Sequence, residues 1–185
     1  HIRFHAPTGT TWALEFTNLL NIWNGRPGSV APEMKILVIS ADGRTWCPVP
    51  VEMVHSNLVR STIAVTSSPV WIARMAPYRL SDLQRLLDEL RVRPGVRIEL
   101  IGRSAEGRPL EMVSLGPERP AHSFVVRARA HPWEAGGNWV AQGLLRRLAR
   151  GEDEGTRRLM ARASVHVMPM ANKDGVARGM TRFNV

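Results

Sequence analysis

Ala130-His131-Pro132-Trp133-Glu134-Ala135-Gly136-Gly137 is the stretch from which the rest of this chain is read. Before it, Ser123-Phe124-Val125-Val126-Arg127-Ala128 reads as a short buried strand. After it, the run from Asn138 to Leu148 carries the apolar spacing of a helix. The eight residues therefore stand at a strand-to-helix turn. Pro132 disfavours helical geometry at His131, which predicts an imidazole at the extended end of the strand, with Glu134 coming round on the turn. The paired glycines Gly136 and Gly137 are expected to let the backbone bend. An imidazole and a carboxylate placed this way suit zinc, which in catalytic sites takes three protein ligands and keeps one position open. Shared tetrahedral coordination predicts a nitrogen-to-oxygen separation of roughly 3.4 Å, with both side chains in one cleft. A bare His-x-x-Glu also fits a solvated turn, so the reading depends on its neighbours.

Upstream stands Ile101-Gly102-Arg103-Ser104-Ala105-Glu106-Gly107-Arg108-Pro109-Leu110. Downstream stands Met168-Pro169-Met170-Ala171-Asn172-Lys173-Asp174-Gly175-Val176, followed by Gly179-Met180-Thr181-Arg182. In this order and spacing the three blocks resemble the zinc metallocarboxypeptidases (M14-type), particularly their cytosolic-carboxypeptidase-like branch, over residues 77 to 185. That branch has a Gly-Arg-Ser-x-Glu-Gly-Arg hairpin before its His-Pro-x-Glu zinc turn, and an Asn-Pro-Asp-Gly turn before a Gly-x-x-Arg segment. The resemblance implies Zn2+ as cofactor, His131 and Glu134 as metal ligands, and Arg182 as a catalytic and substrate-binding arginine facing the scissile carbonyl. It implies hydrolysis of the C-terminal peptide bond of a peptide or protein, with a zinc-activated water and a glutamate base. The family's second zinc histidine, carboxylate-gripping Asn-Arg pair, tyrosine and general-base glutamate lie beyond Val185. The chain is accordingly expected to be the N-terminal portion of an enzyme, inactive by itself. It departs from the pattern in two places: Lys173 stands for the usual proline of the turn, and Trp133 stands where digestive carboxypeptidases carry an arginine.

Composition narrows the classes. An apolar fraction of 44% is ample for a packed core, and no apolar run is long enough for a membrane span. The formal charge of +9 comes almost wholly from arginine, since Lys35 and Lys173 are the only lysines. These arginines are dispersed, with few aromatics to stack on bases, so nucleic acid is not the expected partner. A positive field that draws peptide carboxylates fits equally well. Cys47 is the only cysteine, which excludes an internal disulfide and is compatible with the cytoplasm, the expected location.

From His1 to about Met75 the pattern is strand only, broken by Pro7-Thr8-Gly9, Asn24-Gly25, Ala41-Asp42-Gly43 and Ser67-Ser68-Pro69. This predicts an all-β antiparallel sandwich over 1–76, with Trp12, Trp23, Trp46 and Trp71 in its core and His55 as a turn residue. At Met75-Ala76-Pro77 the pattern changes. Leu83, Leu86, Leu87 and Leu90 mark a helix with Ser81 and Gln84 as its capping box. A hairpin follows, whose Arg103, Glu106 and Arg108 are expected to clamp their own turn. His166 is expected to be structural. Alternating strands and helices then predict an α/β/α metallocarboxypeptidase-like domain with a mixed sheet over 77–185. Two other functions stay open: a zinc amidohydrolase of the same superfamily acting on N-acyl amino acids, and a non-catalytic binding module retaining the fold.

Overall fold

The computed structural model describes residues 1–182, with Trp23 described by its backbone alone. The chain divides into two compact units, His1–Pro77 and one that begins at Tyr78. Among the described residues no helix is long and apolar enough to cross a membrane.

The first unit contains β1 (Ile2–Phe4), β2 (Thr11–Thr17), β3 (Leu20–Trp23), β4 (Arg26–Ser29), β5 (Ile36–Ser40), β6 (Cys47–Pro50), β7 (Glu52–His55), β8 (Leu58–Ala64) and β9 (Val70–Ala73). The one helical element described there is a 3-10 turn at Ala31–Glu33. Every strand pairing is antiparallel, in sheets ordered β1-β9-β5-β6 and β2-β8-β7 with a β3-β4 ribbon. Phe4, Ile39, Val49 and Val70 from the first sheet meet Leu14 and Ile63 from the second, so the two sheets enclose one apolar layer. The tryptophans do not fill it. Trp12 is 38% exposed and stacks on Phe4, while Trp71 is half-buried beneath the Arg3 guanidinium. Small and β-branched side chains fit between short twisted strands, whereas an indole at the rim keeps its N–H near water. His55 Nδ1 accepts from the Asn57 backbone N–H, a local turn contact. Asp42 accepts the backbone N–H groups of Thr45 and Arg44 in the Ala41-Asp42-Gly43 turn, which holds its carboxyl well below the usual range.

The second unit contains α1 (Leu80–Arg91), β10 (Val96–Arg103), β11 (Pro109–Leu115), β12 (His122–Arg127), α2 (Ala135–Arg150), α3 (Glu154–Arg162), β13 (Ala163–Met168) and α4 (Lys173–Arg178). In α1 the four leucines at helical spacing are each 1% exposed, a burial worth about 2 kcal/mol per side chain. The cap lies two residues earlier than the Ser81/Gln84 pattern predicts. The Asp82 carboxylate accepts the Arg79 backbone N–H at 2.6 Å, and Gln84 instead donates to Asp88 within the helix.

The sheet runs β10-β11-β13-β12, with the first two pairings antiparallel and the last parallel, so it is mixed. One face presents Val113, Leu115, Val165 and Val167 to the leucines of α1 and to Ala141, Leu145 and Leu148 of α2. Met160 of α3 and Val176 of α4 join the same cluster. All four described helices thus serve one face, where two helical layers were expected. On the alternate parity Ser114 Oγ and His166 Nδ1 lie 2.8 Å apart across β11 and β13. β12 is not the buried strand its apolar run predicts: it is an edge strand, with Phe124 49% and Val125 72% exposed. Gly116, which ends β11, has φ +101°, and a Cβ there would stand 2.3 Å from the Ala163 carbonyl oxygen, so only glycine fits. The parallel pair β12 and β13, joined through α2 and α3, sends the segments after both strands to the same end of the sheet, where ligands of open α/β sheets are bound.

Candidate active site

At that end the chain leaving β12 is strapped to the chain leaving β13. Ala128 N–H donates to Met168 O at 3.0 Å, Ala171 N–H to Ala128 O at 2.9 Å, and Asn172 N–H to Arg129 O at 3.0 Å. The sharp bend falls at Arg129, whose φ is +59°. Gly136 and Gly137 do not make it: they lie in the first turn of α2 without positive φ, and Gly137 faces Ala128 at van der Waals distance. A turn closed by Glu134 N–H donating to His131 O then places both side chains on one edge. His131 Nδ1 and Glu134 Oε1 stand 2.8 Å apart, a direct hydrogen bond that is shorter than the roughly 3.4 Å of a metal-bridged pair. The side chains remain 38% and 52% exposed. With the proton on Nδ1 for this bond, Nε2 is the acceptor nitrogen, and Arg182 Nη2 lies 3.4 Å from it. Glu134 also sits at the N-terminus of α2, where the helix dipole favours its negative charge.

Arg182 reaches this position because α4 is short and stopped. Asn172 Oδ1 accepts the Gly175 N–H at 2.9 Å at the start, and Gly179, at φ +69°, ends the helix in the left-handed conformation glycine favours. The chain then turns back until Thr181 O accepts the Trp133 N–H at 3.3 Å. The expected triad of His131, Glu134 and Arg182 is therefore gathered at one turn.

The hairpin between β10 and β11 does more than clamp itself. Arg103 donates to Gly107 O and Arg108 pairs with Glu106, as expected. Asp174, only 3% exposed, also accepts from Ser104 Oγ at 2.7 Å, the Glu106 N–H at 3.1 Å and Arg108 Nη1 at 2.6 Å. Burial works to raise its carboxyl, but the bonds from Ser104, Arg108 and Glu106 outweigh this and hold it below the usual carboxylate range. Arg178 adds a pair with Glu106. One residue before Asp174, the Lys173 ammonium meets Glu111 of β11, with side chains 7% and 12% exposed. The lysine that departs from the family turn is thus a buried ionic tie as well as a change in rigidity. Hairpin and α4 form one clasp behind the His131 turn. Its members are 62 to 70 residues apart in sequence, so spacing could not find them.

Among the described residues no group of three or more His, Cys, Asp and Glu side chains could hold a metal. The donor pair His131 Nδ1 and Glu134 carboxylate fits zinc chemically, as two of the three protein ligands a catalytic site uses.

The chain is similar over 98% of its length to the crystal structure of a metallo-carboxypeptidase from Burkholderia cenocepacia, with a TM-score of 0.84 and 24% identity. It covers 49% of that protein, and at this identity the likeness speaks to the fold. An uncharacterized protein of Zymomonas mobilis subsp. mobilis is 29% identical over 150 residues, 79% of this chain and 38% of that one. Cytosolic carboxypeptidase 2 of Danio rerio is 31% identical over 127 residues, 62% of this chain and 17% of that one. The chain spans half or less of the length of each. Residues 83–184, more than half of the chain, match the zinc carboxypeptidase family model, peptidase M14. Carrying that match on a mixed sheet with the His131 turn at its end, the chain belongs to the zinc carboxypeptidase family.

Proposed function

We propose that this chain contributes the first two zinc ligands, His131 and Glu134, and an oxyanion-stabilising arginine, Arg182, to a metallocarboxypeptidase that hydrolyses C-terminal peptide bonds. The observation that carries the reading is the 2.8 Å approach of His131 Nδ1 to Glu134 Oε1, with Arg182 beside the same imidazole. Zinc held there supplies Lewis acidity that makes a water acidic and polarises a carbonyl. His131 presents Nδ1 and Glu134 its carboxylate. Arg182 stays charged at any working pH, and its rigid fork suits charge developing on a carbonyl oxygen. The third ligand and the general base belong, in this reading, to the rest of the whole protein. The same reading takes 1–76 as a sandwich domain and 77–185 as part of the catalytic domain, acting on peptide or protein C-termini. The description of the Danio rerio relative as cytosolic supports a cytoplasmic location.

The test uses the whole protein and matched peptides with free and amidated C-termini. Release of the terminal residue only from free C-termini, lost on chelation and restored by zinc, is the expected result. Deacylation of N-acyl amino acids with peptides left intact would replace the proposal by an amidohydrolase. Zinc-independent peptide binding without hydrolysis would replace it by a binding module.

A further inference from the structure

Arg129 takes no part in the chemistry above, yet its surroundings are unusual. It is a cation only 8% exposed, with a backbone in the left-handed region that a side chain rarely adopts. Its Nε donates to the Pro132 carbonyl at 2.7 Å, and its Nη1 donates to the Tyr78 carbonyl at 3.2 Å and to Asn138 Oδ1. Asn138, 1% exposed, in turn donates through Nδ2 to the Pro169 carbonyl. A buried guanidinium is unfavourable unless its donors are satisfied. Here they are met by two carbonyl dipoles and an amide rather than by a carboxylate contact. Burial pushes the guanidinium down from its ordinary range, and the negative charge of Glu134 opposes that effect.

The Pro132 carbonyl matters most, because it belongs to the peptide between the two side chains that carry the chemistry. Held there, His131 and Glu134 share one rigid support, and through Asn138 that support is tied to the segment after β13 and to the first turn of α2. We propose that Arg129 is a positioning residue for the metal turn: its fork fixes the Pro132 carbonyl against Asn138 and Tyr78, and so sets the approach of His131 to Glu134 before any metal binds. This rests on the metal reading of His131 and Glu134. A lysine in its place keeps the charge but offers no planar fork, so it cannot hold two groups at fixed angles.

The experiment measures zinc affinity of the whole protein by competition with a chromogenic chelator, the visible spectrum of the cobalt-substituted protein, and the unfolding midpoint. The expected result for Arg129→Lys is a 10- to 100-fold loss of zinc affinity, the range typical of residues that orient metal ligands, together with an altered cobalt spectrum. Asn138→Ala should move both in the same direction, and it carries the test if the lysine variant does not fold. Zinc affinity within about twofold of wild type, with an unchanged spectrum and only a lower unfolding midpoint, would overturn the proposal and leave Arg129 a packing residue. His131→Ala separates this from failure of the metal reading: undiminished zinc binding in that variant would remove the metal turn itself, and the positioning role with it.

Discussion

The turn that carries His131 and Glu134 and the clasp that carries Asp174 lie close together and are built by opposite rules. In the turn the decisive contact joins residues three apart, both side chains are substantially exposed, and one hydrogen bond holds them. In the clasp the contacts join residues more than sixty apart, the carboxylate of Asp174 is almost wholly buried, and three donors converge on it. Exposed groups stay free to exchange partners, which suits ligands. Buried groups lose stability when a partner is removed, which suits a scaffold. The same residue types thus serve chemistry in one place and rigidity in the other.

If the contrast holds, the clasp should break first under mutation. Glu111→Ala leaves the Lys173 ammonium buried without its partner, an expected loss of about 3 to 5 kcal/mol on guanidinium unfolding. A loss below about 1 kcal/mol would make the tie a surface-type pair and weaken the distinction. Arg182→Ala should leave stability nearly unchanged and act on turnover instead. Removing one donor to a developing oxyanion typically costs about 3 to 4 kcal/mol, so kcat of the whole enzyme should fall roughly a hundred- to a thousandfold with zinc content intact. A variant that keeps most of its kcat would return Arg182 to the scaffold side of the comparison.

Asp174 sharpens the contrast through pH. Its carboxyl is held below the ordinary value of 3.8, so the folded state favours the ionised form. That contribution is fully present above the ordinary value and is lost as pH falls through the lower folded one. Stability measured from pH 7 down to pH 3 should therefore decline at the acid end, and Asp174→Asn should be less stable at pH 7 with a shallower acid decline. Parallel curves for the two proteins would mean that Asp174 does not carry the linkage.

The sequence made the turn legible because its information is local: Pro132 follows His131, Glu134 follows at three, and a strand and a helix flank them. The leucines of α1 were legible for the same reason, since helical periodicity is local. Three features were not. The bend at Arg129 was assigned to Gly136 and Gly137 because glycine is the usual left-handed residue, whereas here backbone bonds from Asn172 and Ala171 hold an arginine's neighbourhood in that shape. β12 looked buried because its residues are apolar, but burial depends on its place at the sheet edge, which topology decides. The clasp was read as a hairpin closing on itself because Asp174 lies far along the chain. An arginine between Ala128 and Ala130, beside an apolar strand, was the one local signal that a buried cation sits next to the turn.

The smallest expected effect is the one that most cleanly divides chemistry from scaffold. Glu134 is half exposed, its bond to His131 spans a single turn, and its position at the start of α2 adds only a helix-dipole contribution of a few tenths of a kcal/mol at an exposed site. Exposed pairs of this kind contribute about 0 to 1 kcal/mol, because water solvates either partner once the other is gone. Glu134→Gln keeps the size and one acceptor oxygen while removing the charge. Its unfolding free energy should therefore stay within about 0.5 kcal/mol of wild type, in contrast to the loss expected for Glu111→Ala. Zinc affinity should fall, since a neutral amide is a poorer ligand for a divalent cation than a carboxylate. A Glu134→Gln protein that loses 2 kcal/mol or more while binding zinc as before would place Glu134 in the scaffold and leave His131 without its partner in the metal turn.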